Sequence, residues 1–272
     1  MHSKIAVVTS ALSGIGESTA TRLAQAGFKV YGACRPGIQM APRSYEMLPL
    51  DVTCEDSVQA FVAAVVRQEG RIDLLVNNAR IGLTPAGAEE SSLQQVQAVF
   101  DTNFFGLVRM TRAVLPYMRA RSAGRIINIG SVLGARSVPY GALYSAAMHA
   151  IVGYTEALDL ELRDWGIRAI VIEPAYTGTS FDADMVEPDA KLDAYLGART
   201  VVTRRVRDIM MIAEGPEAVA DAVVKVAQAK RPKARYAVGG VATRMRLLRA
   251  FTPDSLTESG VRKDIRMSTK LA

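Results

Sequence analysis

Lys4-Ile5-Ala6-Val7-Val8-Thr9-Ser10-Ala11-Leu12-Ser13-Gly14-Ile15-Gly16 is the stretch whose reading decides the fold. Its first half is a short, unbroken apolar run, the pattern of a strand covered on both faces. Its second half is a glycine-bearing turn, and from Ile15 to Ala26 the pattern changes. Ala20, Leu23, Ala24 and, just beyond, Phe28 recur there at helical spacing. Gly27 stands where the helix should stop, because glycine accepts a left-handed backbone without steric cost. A strand that enters a helix through a glycine turn is the opening unit of an α/β chain.

The rest of the chain repeats that rhythm. Strand-like runs at Lys29–Ala33, Tyr45–Leu50, Leu74–Asn77, Arg125–Ile129, Ile167–Glu173 and Arg235–Val238 alternate with helical segments. The helices are expected at Asp56–Gln68, Ser91–Arg121, Leu143–Arg163 and Pro216–Ala229, with Asp56 as the N-cap of its own helix. Apolar strands separated by helices require a doubly wound parallel sheet with helices on both faces. Repeats, linkers and low-complexity stretches are absent from the sequence. The expectation is a single Rossmann-type domain over residues 1–240, followed by a basic extension, 241–272, that packs on the same domain through Leu247, Leu248 and Phe251.

Composition narrows the function. The 272 residues are 49% hydrophobic and 22% charged, enough apolar material for a sizeable core and unlike a disordered or disulfide-stapled chain. Cys34 and Cys54 are the only cysteines and form no C-x-x-C, which fits a reducing, cytoplasmic compartment and gives no zinc site. The 19 uncharged residues from Ser137 to Thr155 are interrupted by Pro139, Tyr140, Gly141, Tyr144, Ser145 and His149, so no membrane span is expected. Ile5–Val8 is too brief for a signal peptide. Residues 241–272 hold seven Lys/Arg against three Asp/Glu, a net +4 of the chain's +6. Aromatic residues do not alternate with them, Phe251 being the single one, so a solvated helix packed on the body is expected rather than a nucleic-acid surface.

The glycine turn alone is a weak signal, since two glycines also make an ordinary tight turn. Its weight comes from residues in matching order: Thr9…Gly14-Ile15-Gly16, Asp51-Val52, Asn77-Asn78-Ala79, Asn103, Ser131 and Tyr144. Together they resemble the short-chain dehydrogenase/reductase family, in its single-domain branch, over residues 4–240. The resemblance implies a general acid/base at Tyr144 and a hydrogen bond from Ser131 to the substrate oxygen. It implies that Asn103 shapes the active-site helix and holds a relay water. The cofactor-binding set would be Ser10, Gly14, Ile15, Gly16, Arg35, Asp51, Val52, Asn77 and Ala79. Within it Asp51 and Val52 would touch the adenine, and Asn77 would fix the sheet edge beside the cofactor. Arg35 would suit a 2′-phosphate, so the cofactor is NADP(H) if one binds at all.

Four positions depart from the family pattern. Ser10 replaces the first glycine of T-G-x-x-x-G-x-G, Arg80 the glycine of N-N-A-G, Met148 the lysine of Y-x-x-x-K, and Ala175 the glycine after Pro174. Positions 144 and 148 share a helix face, so the lysine would sit beside the tyrosine and help it release its proton. Without that cation Tyr144 is expected to donate well and to serve poorly as a base. His149 points about 140° away on the helix and reads as a packed histidine. Arg80 reads either as an exposed loop residue or as a cation reaching the nicotinamide ribose and Tyr144.

Because three of the four departures fall on cofactor positions and the Ser131, Tyr144 and Asn103 trio is intact, the leading expectation is redox-neutral chemistry. That would be cyclisation, dehydration or isomerisation by hydrogen-bond donation, with cofactor binding weakened or lost. The alternatives are an NADP(H)-dependent carbonyl reductase or alcohol dehydrogenase, and a non-catalytic ligand binder. Leu83, Leu133, Val138, Tyr140, Tyr176, Phe181 and Met185 are expected to line an apolar substrate pocket, part of it under a lid between Pro174 and Leu196. The resemblance also implies a homodimer or homotetramer.

Overall fold

A computed structural model describes residues 3–38, 42–178 and 185–244. Seven parallel strands form one sheet in the order β3-β2-β1-β4-β5-β6-β7. They are β1 (Ile5–Val8), β2 (Lys29–Cys34), β3 (Glu46–Pro49), β4 (Leu74–Asn77), β5 (Gly124–Ile129), β6 (Ile167–Pro174) and β7 (Arg235–Val238). The helices are α1 (Gly14–Gln25), α2 (Glu55–Glu69), α3 (Leu93–Phe100), α4 (Gly106–Ala120), α5 (Ala142–Leu162), α6 (Leu196–Met211) and α7 (Glu217–Gln228).

The period-two alternation of strand side chains splits the core into two layers. Ile5, Val7, Tyr31, Leu75, Ile126 and Ala169 face one way and pack on α2, α4 and α5. Ala6, Val8, Val30, Val76, Ile127 and Ile170 face the other way and pack on α1 and α7. Each fully buried aliphatic side chain contributes roughly 1.5–3 kcal/mol relative to leaving it in water. Strand order reverses where β1 lies between β2 and β4, and a crevice opens there beyond the carboxyl ends of the strands.

The doubly wound sheet and most of the expected boundaries stand, and three details need correction. Asp56 is not the N-cap of α2. That place belongs to Cys54, and Asp56 lies in the first turn, where its charge still favours the helix dipole. The expected continuous helix over Ser91–Arg121 is interrupted. Ser92 caps α3 through a hydrogen bond to Gln95 N, a single π turn spans Asp101–Phe105, and α4 starts at Gly106. Finally, α6 lies where the sequence suggested only the end of a lid. It buries just Val202 completely, so its apolar stripe is too thin to declare a helix.

A buried polar ladder ties α5 to the sheet. Asn77 Nδ2 donates to Asn128 Oδ1 at 2.9 Å, and Asn128 Nδ2 donates to Thr155 Oγ1 at 2.9 Å. Since α5 carries Tyr144 and Met148, this ladder fixes the height of both over β4 and β5. Asn77 is the last residue of β4, at the carboxyl edge of the sheet. No helix among the described residues is long and apolar enough to cross a membrane. A last helical turn runs over 240–244, and Leu247, Leu248 and Phe251 lie outside the described residues.

Candidate active site

The turn after β1 is held by its neighbours rather than by its own glycines. Thr9 Oγ1 accepts from the amides of Asn78 and Ala79 at 2.8 and 2.9 Å. Asn78 Nδ2 returns the contact by donating to the carbonyls of Thr9 and Ser10. Ser10 has φ of +51°, inside the left-handed region that glycine prefers. Its backbone therefore keeps the shape that the family's glycine would supply, at a strain of about 1–2 kcal/mol.

Gly14 also has a positive φ, +55°. A Cβ on Gly16 would come 1.9 Å from the Ser10 carbonyl oxygen and 2.6 Å from Asn78 Nδ2. Only glycine permits that approach. Ser13 precedes α1 without a side-chain capping bond. The first-turn amides of Gly14, Ile15 and Gly16, which have no partner within the helix, are the donors a pyrophosphate would use. These residues fit a dinucleotide.

The adenosine end lies beyond β2 and β3. Arg35 is exposed just past β2, and Val52 is buried beside Gly106, where a Cβ would come 2.8 Å from Val52 Cγ2. Asp51 accepts from the Thr53 hydroxyl at 2.7 Å and from the Thr53 amide at 2.9 Å. Those hydrogen bonds, led by the hydroxyl and helped by the fields of Arg35 and Arg109, hold its carboxyl below the usual carboxylate range. Arg43 reaches back to the Leu12 carbonyl at 2.9 Å and pairs with Glu17, bracing the far side of the same turn.

At the other end, Ser131 follows β5 and caps a short 3₁₀ turn, accepting from Leu133 N at 3.2 Å. Its oxygen is thereby oriented while its hydroxyl proton can still be donated. Tyr144 lies in the first turn of α5, half-buried against a cluster of Leu107, Met148, Ile151, Val152 and Val171. Met148 is fully buried in that cluster. Its carbonyl lies so close to Gly134 that a Cβ there would approach to 2.7 Å, which fixes the 3₁₀ turn against α5. His149, as expected, is engaged on its own helix, with Nδ1 2.8 Å from the Ser145 carbonyl.

Asn103 sits in the π turn, a feature that often turns one side chain inward at a functional site. It is buried, accepts from Ile81 N at 2.8 Å and donates to Ile81 O at 2.9 Å. The amide thus clamps the loop after β4 instead of leaving both ends for water. Arg80 precedes that clamp, and its Nη1 is 3.4 Å from the Gly130 carbonyl, one residue before Ser131. Ala79, Arg80, Asn77, Asn103 and Thr9 line one hollow with Leu107, Ile129 and Ile151. Ala175, after Pro174, keeps its amide on the Val238 carbonyl at 3.4 Å.

Among the described residues, none of those expected in the substrate pocket lines that hollow. Leu83 pairs with Val186 in a short parallel bridge, and Tyr140 meets Tyr195 edge to face at 6.3 Å. Leu133, Val138, Tyr176 and Met185 are half-buried, and Phe181 lies outside the described residues. The sequence did not signal how the lid is tied down. Glu90 is fully buried and accepts from Gly87 N at 2.7 Å and Leu192 N at 2.8 Å, while Arg199 pairs with its carboxylate. Asn78 was quoted in the motif without a role. A buried asparagine next to a strand end was its one available clue.

The short chain dehydrogenase family matches residues 4–190, and the chain belongs to that family. It is 32% identical over 269 residues to the 3-ketodihydrosphingosine reductase of Bacteroides thetaiotaomicron, covering 96% of this chain and 98% of the relative. It is 34% identical over 212 residues to retinol dehydrogenase 8 of Bos taurus, covering 75% and 67%. Among solved structures, a short chain dehydrogenase/reductase from Burkholderia phymatum in complex with NAD superimposes with a TM-score of 0.78. The two are 26% identical over 94% of this chain and 95% of that one.

These findings correct the leading functional expectation. The relatives are named for reduction and dehydrogenation, and the solved neighbour is complexed with NAD, so the redox-neutral reading fails. A physical reason lies at Ser10, one of the three changed cofactor positions, whose left-handed backbone keeps the shape that a glycine would supply.

Proposed function

We propose that this chain is an NADP(H)-dependent carbonyl reductase or alcohol dehydrogenase acting on an apolar, oxygenated small molecule. The observation that carries the reading is the coexistence of an intact dinucleotide cradle at Ser10–Gly16 with Ser131 and Tyr144 on the same sheet edge. The first-turn amides of α1 hold the pyrophosphate, and Asp51 and Val52 border the adenine. Arg35, exposed beyond β2, favours a 2′-phosphate over a free ribose hydroxyl.

When bound, the nicotinamide supplies or accepts the hydride. The protein's own part is proton handling and orientation. The Ser131 hydroxyl donates to the substrate oxygen, and the Tyr144 phenol gives that oxygen its proton in reduction and takes it back in oxidation. Leu133, Val138, Tyr140, Tyr176 and Met185 surround the oxygen with apolar surface, which excludes water and suits a long-chain or polycyclic ketone. The names of the relatives, a ketodihydrosphingosine reductase and a retinol dehydrogenase, support the same substrate class. Phe105, Tyr117 and Leu160, exposed on or beside α4 and α5, support association through those helices into a homodimer or homotetramer, measurable by light scattering.

Calorimetry with NADPH and NADH, followed by NADPH consumption on a panel of long-chain ketones, tests the reading. Micromolar NADPH binding, weaker NADH binding and turnover of an apolar ketone are expected. Absence of binding at millimolar cofactor overturns it.

A further inference from the structure

A phenol that must accept a proton at neutral pH needs a positive charge nearby, because an opposite charge lowers the pKa of its acid form. The residue one turn beyond Tyr144 provides none, since it is the uncharged Met148, fully buried among Leu107, Ile151, Val152 and Val171. Leu107 and Ile151, two of its partners, also line the hollow beneath the site. Among the described residues lining that hollow, one is charged, and it is Arg80.

Two contacts fix its position. The Asn103 amide clamps the next residue, Ile81, at both its N–H and its carbonyl, so the backbone that carries Arg80 is held against the π turn. The guanidinium itself reaches the Gly130 carbonyl, adjacent to Ser131. Its charge is thereby carried from the β4 end to the β5 end of the cleft, where the substrate oxygen would lie between Ser131 and Tyr144.

We propose that Arg80 supplies the catalytic cation of this enzyme, stabilising the Tyr144 phenolate and hydrogen-bonding the cofactor's ribose hydroxyls in place of a lysine at position 148. Guanidinium suits the task because it stays protonated throughout the working pH range and presents several donors in a fixed plane. The residue pair therefore reads as a relocation of charge from α5 to the loop after β4, with the space at 148 given to core packing. This inference rests on the oxidoreductase reading above.

The test compares wild type with Arg80→Gln, Arg80→Lys and the double variant Arg80→Gly with Met148→Lys. Two quantities are read: the NADPH dissociation constant by calorimetry, and the pH profile of alcohol oxidation. Arg80→Gln should weaken NADPH about tenfold and move the acidic limb of the oxidation profile up by about one pH unit or more, the size expected for losing one close opposite charge. Arg80→Lys should keep the limb near its wild-type position, which a purely structural role would not require. The double variant should restore both quantities, because it returns an ammonium to α5. An Arg80→Gln protein that binds NADPH like wild type and keeps the wild-type pH limb overturns the proposal. A wild-type protein that binds no NADP(H) overturns the oxidoreductase reading itself, whatever the variants do.

Discussion

The two ends of the cleft have diverged from their family in opposite ways. At the cradle end, Ser10 changes the residue and keeps the backbone, with φ of +51° where a glycine would be unstrained. At the catalytic end, the backbone is ordinary and the chemistry has moved, with Met148 buried in the core and Arg80 reaching Gly130 from another loop. A backbone constraint has to be met by the residue that occupies the position. A charge requirement can be met from any element whose side chain reaches. The comparison explains why a motif count treats both ends as damaged when only one has been rewired.

The largest effect that would sharpen this contrast is at Tyr144. Tyr144→Phe should lower turnover by roughly 10²–10⁴-fold and leave NADPH affinity unchanged, because it removes a proton donor and acceptor from one end only. Equal loss of binding and turnover in steady-state and calorimetric measurements would break the division into two ends. Next comes Gly16→Ala. With the Ser10 carbonyl 1.9 Å from the added Cβ, the turn must move, and a loss of about 1–3 kcal/mol is expected in urea unfolding, together with weaker NADPH binding.

Ser10→Gly should go the other way by a smaller amount. Relief of the left-handed strain is partly offset by the greater freedom of glycine in the unfolded chain, leaving a gain of about 1 kcal/mol or less with NADPH affinity kept. A destabilised variant would mean that the serine side chain contributes something its backbone does not.

The smallest effect concerns acid. Asp51 is held below the ordinary carboxylate value by the Thr53 hydroxyl and amide, so its contribution to stability is complete above about pH 4 and disappears as pH falls through its folded value. Asp51→Asn should therefore flatten the acid limb of stability, read as the urea midpoint between about pH 5 and about pH 3.

Much of the sheet was legible because parallel strands buried on both faces are written as continuous apolar runs, as in Ile5–Val8 and Leu74–Asn77. Ser131, Tyr144 and Asn103 were proposed as site residues from the family motif that they match in order and spacing. What was hidden depends on quantities that spacing does not carry. The π turn at Asp101–Phe105 adds one residue to a helical turn without disturbing the apolar pattern around it. The Arg80 side chain meets the Gly130 carbonyl across 50 residues of sequence, beside a loop that Asn103 clamps at Ile81, 22 residues away. The tolerance of Ser10 for a left-handed backbone is a matter of a single dihedral. The redox-neutral expectation counted Ser10 together with Arg80 and Met148 as changed cofactor positions, and a residue letter does not report the dihedral that Ser10 adopts.

Glu90 ties the chain before α6 to α6 itself through one group. The carboxylate is fully buried, and two of its partners, Leu192 N and Arg199, lie on either side of the start of α6. Releasing one while keeping the other would leave a charge sealed from water with half its neutralising shell, a state costing several kcal/mol. Leu192 and Arg199 are therefore held by one carboxylate as a unit, and the loss of either contact weakens the other.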